Sequence, residues 1–265
     1  MQARSADEVC QQVSILASNY VNAGGYVDQG GDLDVNAILQ GYLRLFRRRG
    51  GKLENNQSVQ SIRRLQGGWQ VQCDKTSFSA AIVVNAAGAW ADNIAELSGL
   101  SSLGLIPKRR TVILIDPPAG VDISKWPMVI DVGEEFYFKP DAGQLLISPA
   151  DETPSAPCDA QADELDVAIA VDRFEKATGL EVRRVNHRWA GLRTFAADKT
   201  FVLGFDPRTE GFFWLAGQGG YGVQSAPGMA QLATALLTGA QLSMEFSPVL
   251  NYKNAVAPER LITQH

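Results

Sequence analysis

Three glycines, Gly217, Gly219 and Gly222, separate an apolar run from Phe212 to Ala216 from an Ala/Leu-rich segment that stops at Gly239. A buried strand, a glycine turn and a helix make a corner suited to an anion. Glycine lets a backbone approach a ligand closely, and the N–H groups that open a helix carry partial positive charge. The same glycines satisfy G-x-G-x-x-G, a pattern that has force only at the start of a βαβ unit with an acidic residue about 20 positions on. Glu245 stands at a tolerable distance, but residues 246–265, with Pro248 and Pro258, are too short to complete such a unit. A nicotinamide dinucleotide site is therefore not expected, and the turn either faces another ligand or simply packs tightly.

Few other residues offer chemistry. Arg193, beside Gly191 and just before the loop 196–200, is well placed for a guanidinium that faces a ligand, whereas Arg183, Arg184 and Arg188 are expected to face solvent or acidic neighbours. Tyr137 alternates with Phe136 and Phe138, so it points away from the face the phenylalanines bury, into a cavity or onto the surface. The small residues of Asn85-Ala86-Ala87-Gly88-Ala89-Trp90 follow an apolar run, and they form either a place where a ligand lies along backbone or a tight corner. Three cysteines without C-x-x-C spacing and two histidines, His187 and His265, argue against a disulfide framework or a metal centre.

The elements that must position these residues follow from periodicity. Met1 to about Asn22 begins with a short helix, and Gly24 to Asp28 turns into a strand. Asp34 caps a helix whose Val35, Ile38, Leu39, Tyr42 and Phe46 share one face, so this helix is expected to pack on something flat, ending at Arg47 to Gly51. Three strands follow, Ser58 to Leu65, Trp69 to Cys73 and Ser77 to Asn85, the last reading as doubly buried through Ala-Ala-Ile-Val-Val. A short helix covers Ala91 to Ser98. Antiparallel β structure is expected from Leu105, with Thr111 to Ile115 as a strand and Glu135–Pro140 paired to Gln144–Ser148. A helix spans Gln161 to Thr178 and stops at Gly179, a mixed strand covers Val182 to Phe195, and the last helix begins near Ala226.

The chain has 265 residues, 45% of them hydrophobic, and a net charge of −5. Such a chain forms one large or two modest soluble domains, and its charge argues against a nucleic-acid partner. No stretch approaches eighteen apolar residues, so no integral membrane segment is expected and a cytoplasmic location is the default.

In this order, NAAGAWA, KRR before a strand, FYFKPDAG, WAGLRTFAADKTFVLGFDP and GFFWLAGQGGYGVQSAP resemble the flavin-dependent D-amino-acid oxidoreductase superfamily, which includes glycine and sarcosine oxidases, and most resemble its D-arginine dehydrogenase-type members. The resemblance covers Gly25 to at least Gly239. It implies an α/β (α+β) fold, an incomplete FAD-binding domain interleaved with an antiparallel β-rich substrate domain. Residues 1–106 and 196–265 would be the FAD portions and 107–195 the substrate domain. It also implies FAD as cofactor, a small amino acid as substrate, and oxidation of the Cα–N bond by hydride transfer, as dehydrogenase or oxidase. Arg110 and Arg193 would hold the substrate carboxylate and Tyr137 would hydrogen-bond to it. Gly219, Gly220, Tyr221, Gly222, Val223 and Gln224 would lie along the flavin edge, and Val59, Ala86, Ala87, Gly88 and Trp90 would line the nucleotide side.

Family members begin with a strand, a G-x-G-x-x-G turn and a helix that hold the FAD pyrophosphate, and no such stretch stands ahead of Gly25. The expectation is thus a family member lacking its first hundred or so residues, with Ile82 to Val84 left as an open apolar edge prone to self-association. The contrasting expectation is an inactive remnant, or the partner-dependent half of a split flavoprotein.

Overall fold

The computed structural model describes residues 1–242 and 244–262; His265 lies outside the described residues. In chain order the elements are β1 (Gln2–Ser5), α1 (Ala6–Gln12), β2 (Ala23–Tyr26), α2 (Val35–Arg48), β3 (Val59–Leu65), β4 (Gly68–Cys73), β5 (Ser77–Ala80), β6 (Val83–Asn85) and α3 (Ala91–Leu97). They continue with β7 (Ile106–Ile115), β8 (Val129–Ile130), β9 (Tyr137–Asp141), β10 (Gln144–Ser148), β11 (Thr153–Pro154), α4 (Glu164–Thr178), β12 (His187–Phe195), β13 (Val202–Phe205), β14 (Phe212–Ala216), α5 (Gly222–Thr238) and α6 (Lys253–Val256). The result is a mixed α/β fold with several antiparallel sheets.

Two compact units divide the chain, and each is discontinuous. One is built from Met1–Gly31 with Lys108–Leu192, the other from Asp32–Pro107 with Arg193–His265. The first 31 residues thus group with the β-rich middle of the chain, whereas sequence reading assigned them to the same portion as residues 32–106.

In the first unit, a sheet runs β11-β7-β10-β9-β8, with β12 also on β7. Alternation sends Ile113, Ile115, Leu145, Ile147 and Phe138 to one face, where they bury against Val167, Ala170, Phe174 and Ala177 of α4. Asp163 caps α4 by accepting from the Leu165 N–H, in keeping with the helix expected there. Ser5 and Glu8 form a reciprocal capping box on α1, which explains why so short a helix forms.

The second unit holds a sheet ordered β13-β14-β6 and a second ordered β3-β4-β5. Phe212 and Trp214 pack with Trp69, Ala91 and Ala95 in one core cluster, while Phe213 and Leu203 pack with Leu232 and Ala233 of α5 in another. Thus β14 is buried on both faces, as its unbroken apolar run requires. Asp206, with a fully buried side chain, accepts from Trp214 Nε1 at 2.9 Å and from Arg208 Nη2 at 2.6 Å. Burial alone would raise that carboxyl, but these hydrogen bonds outweigh it and hold Asp206 below the usual carboxylate range. Among the described residues no strand follows α5, so the glycine pattern there does not open a βαβ unit.

Three expectations are corrected. The single strand expected over Ser77–Asn85 is two, β5 and β6, which belong to different sheets, and Ile82 and Val84 are exposed rather than doubly buried. The cause is pairing: β6 has β14 on one side and ends its sheet on the other. Second, α2 buries none of its residues, and Val35, Leu39, Tyr42, Leu45 and Phe46 all remain exposed. Its Asp34 cap and apolar stripe are as expected, but the flat surface to receive the stripe is absent among the described residues. Third, α5 begins at Gly222, four residues before the start expected near Ala226, and keeps Pro227 inside it.

Candidate functional site

In the second unit β6 runs parallel to β14, with Trp214 beside Asn85. Both strands therefore point the same way, and the two small-residue turns, 86–90 and 217–222, leave the same end of the sheet. Ligands bind at this end, the carboxyl end of the parallel strands, in open α/β sheets. Asn85 fixes the first turn from inside. Its buried amide donates to the Ala91 carbonyl at 2.8 Å and its oxygen accepts from the Ala87 N–H at 3.4 Å. Ala86 and Trp90 are exposed, and Ala87 and Gly88 are half-buried. Val59, at the start of β3, tucks its side chain against the core, with a register irregularity between it and Ser61.

The second turn is tighter. Gly219 adopts φ +53 and donates its N–H to the Thr194 carbonyl at 2.9 Å, and a Cβ there would lie 2.6 Å from the Phe195 ring. A Cβ on Gly220 would stand 3.0 Å from Nη1 of Arg193. The Arg193 guanidinium thus lies directly against the glycine turn. After Tyr221, α5 opens at Gly222 with no side-chain cap, and Val223 and Gln224 are exposed in its first turn. Uncapped N–H groups leave the helix start as a place for negative charge.

These residues fit a flavin. The turn is held open where side chains would fill it, the helix start is uncapped, and a second run of small residues shares the sheet end. The residues able to hold the cofactor are the two turns and the first turn of α5.

In the first unit, Arg110 and Tyr137 occupy the sheet face opposite the phenylalanine core. Pairing of Ile147 with both Ile113 and Phe138, and of Tyr137 with Ser148, sets that parity. Phe136 and Phe138 are buried while Tyr137 is half-buried, as their alternation predicts. Arg110 is not simply a solvent-facing cation. Its Nε donates to the Asp151 carbonyl at 2.9 Å, and Nη2 lies 3.5 Å from Glu152. Asp151 itself accepts from the Thr111 N–H at 2.6 Å. Local spacing does not single out this acid, because its partner is set by the strand pairing.

Comparison with known proteins agrees with this architecture. The family described as FAD dependent oxidoreductase (DAO) matches residues 2–236, and the chain belongs to that family. Its cofactor is FAD, and its relatives are amine-oxidising and related flavoenzymes. FAD-dependent oxidoreductase domain-containing protein 1 of Bos taurus is 27% identical over 187 residues, covering 64% of this chain and 38% of that protein. The uncharacterized oxidoreductase YurR of Bacillus subtilis is 24% identical over 254 residues, covering 92% of this chain and 64% of its own length. Among solved structures, glycine oxidase from Geobacillus kaustophilus superposes with a TM-score of 0.78 at 23% identity, covering 93% of this chain and 65% of that one. L-Proline dehydrogenase from P. horikoshii gives 0.81 at 19% identity, covering 98% and 68%. The chain spans less than two thirds of the curated relatives it matches. Among the described residues, no helix is long and apolar enough to cross a membrane.

Proposed function

We propose that the protein takes part in FAD-dependent oxidation of a D-amino acid to the imino acid. The observation that carries the reading is the Arg193 guanidinium lying against the glycine turn at Gly220, a cation beside the corner that best fits the flavin. FAD, held by the turns 86–90 and 217–222 and the first turn of α5, would supply the two-electron acceptor for oxidation of the substrate's Cα–N bond.

The chain's own residues bind and orient. By the family resemblance, Arg193 and Arg110 are the residues assigned to the substrate carboxylate, with Tyr137 as its hydrogen-bond donor. A guanidinium offers two parallel charge-assisted hydrogen bonds to a carboxylate, a fork that lysine cannot reproduce. The start of α5 stabilises negative charge next to the glycine turn through its open N–H groups. Titration with FAD followed by gel filtration tests cofactor binding, and a panel of D- and L-amino acids tests the substrate. Arg193→Lys is expected to weaken carboxylate binding, and equal affinity in both proteins would remove Arg193 from the site.

A second reading, the partner-dependent half of a split flavoprotein, is favoured by the open β6 edge and the uncovered apolar face of α2. Colourless protein that ignores added FAD until a second polypeptide is supplied would support it. Self-association through the β6 edge is the related possibility for the isolated chain.

A further inference from the structure

Asp151 stands at the close of the β10–β11 connection, where a strained backbone meets a buried ion cluster. Ala150, a non-glycine residue, adopts φ +54, and its N–H donates to Ser148 Oγ at 3.2 Å. Left-handed backbone at such a residue persists only where the surroundings hold it. The chain then pairs back along β7, with Thr153 opposite Arg109. In that register Asp151 falls beside Thr111, and its side chain rather than its backbone takes the Thr111 N–H.

The carboxylate is buried, with 6% of its side chain exposed. Its Oδ1 accepts from the Thr111 N–H at 2.6 Å, and its Oδ2 lies 3.2 Å from Thr111 Oγ1. The same hydroxyl lies 3.4 Å from Asp166 Oδ2, so one hydroxyl proton stands between two buried carboxylates. Arg109 is their shared counter-ion, 2.7 Å from Asp166 and 3.9 Å from Asp151, with Asp163 3.8 Å away on its other side. Meanwhile the Asp151 main-chain carbonyl accepts from Arg110 Nε at 2.9 Å. The side chain therefore ties the turn to β7 and the carbonyl of the same residue aims Arg110.

We propose that Asp151 is a positioning residue for Arg110, its ionised carboxylate holding the turn whose carbonyl fixes the guanidinium. This rests on the reading of Arg110 as a carboxylate ligand. The groups facing Asp151 are Arg109, Arg110 and Thr111 from β7, Asp163 and Asp166 at the start of α4, and Glu152 on its own turn, itself 2.9 Å from Lys108. Burial pushes the Asp151 carboxyl up, Asp166 adds to this, and the Thr111 and Arg110 contacts oppose it. The hold consequently loses its charge at a higher pH than an ordinary aspartate would, turning a charge-assisted hydrogen bond into a weaker neutral one. Because this folded-state pKa is raised, ionisation of Asp151 disfavours the fold as pH rises. Asp151→Asn should thus leave thermal stability at neutral pH equal or higher, an outcome a merely structural role would not give.

The test uses the full chain with added FAD and measures glycine binding calorimetrically from pH 4 to 7.5, a range in which glycine's own groups keep their charge. Methylamine, lacking a carboxylate, is the control. Asp151→Ala is expected to weaken glycine about tenfold while Arg110 is present, and less than about twofold in an Arg110→Lys background. Asp151→Asn is expected to weaken glycine about threefold at pH 7.5 and to abolish the acid-side weakening expected of the wild type. Equal losses in both backgrounds, or none with Arg110 present, would overturn the proposal. If Asp151→Ala does not fold, the Asp151→Asn profile decides, and an acid limb matching wild type overturns it. Arg110→Lys with unchanged glycine affinity, or no glycine binding by the wild type, would instead refute the Arg110 reading directly and remove the proposal with it.

Discussion

Gly220→Ala separates binding from stability at the glycine turn. Gly220 is exposed and its φ lies outside the left-handed region, so alanine meets no backbone objection. Reduced freedom of the unfolded chain would add roughly 0.4–1 kcal/mol of stability, which the new contact offsets in part. That contact is Nη1 of Arg193 at 3.0 Å, the far end of a flexible side chain, which yields by moving a few tenths of an ångström. A carboxylate fork tolerates such movement poorly. Losing one of its two charge-assisted hydrogen bonds removes about 1.5–3 kcal/mol, or roughly 10- to 150-fold in affinity. Gly219→Ala behaves oppositely. Its φ of +53 costs alanine about 1–2 kcal/mol, and the buried Phe195 ring 2.6 Å away cannot swing aside, adding about 1–3 kcal/mol. At roughly 2–4 °C per kcal/mol, Gly219→Ala should lower the Tm by about 4–20 °C, while Gly220→Ala changes it by less than about 3 °C. Differential scanning fluorimetry with glycine titration reads both. Unchanged glycine affinity in Gly220→Ala, or a Tm loss matching that of Gly219→Ala, would refute the placement of Arg193 against the turn.

Three further outcomes follow from other parts of the molecule. Asp206→Asn should cost about 2–3 kcal/mol at pH 7 by leaving Arg208 without its main carboxylate, read from urea unfolding. Because the folded-state pKa of Asp206 is depressed, its stabilisation is complete above the unfolded value of about 4 and is lost as pH falls below it. The mutant should accordingly have a flatter acid unfolding curve there. Leu39→Asp on the open face of α2 should change stability by less than about 0.5 kcal/mol, since no α2 residue is buried; a larger loss in urea unfolding would mean the face is covered in solution. Val84→Lys on the free edge of β6 should shift any oligomer seen by light scattering toward monomer.

Much of this architecture is legible from local pattern. The strand–glycine–helix corner, the 137–148 hairpin and the glycine stops at Gly179 and Gly239 depend on residues close in sequence, and both glycines adopt φ +70 as C-caps. The split between β5 and β6 was not legible, because an apolar run reports a strand's propensity and not which sheet it joins. Nor was the open face of α2, since an amphipathic stripe states what a helix needs and not whether the need is met. The Ala/Leu-rich run begins near Ala226 and so sets the expected start of α5 late, although the helix is already formed from Gly222. Within the site, Arg193 and the glycine turn were placed by spacing. The hold of Asp151 on Arg110 required knowing that residues 151–154 run back along β7.

The discontinuity of the two units constrains how the chain can be made. Each unit joins distant segments, so the 85 residues from Lys108 to Leu192 separate the two halves of the second one. At ribosomal rates of about 5–20 residues per second, residues 32–107 wait roughly 5–22 s for their strand partners β13 and β14 to be synthesised. Throughout that interval β6 lacks even β14, and the apolar side chains of β6 and α2 are open together. A nascent chain of this design carries aggregation-prone surface in mid-synthesis, and slowing translation between Lys108 and Leu192 should lower the yield of folded protein.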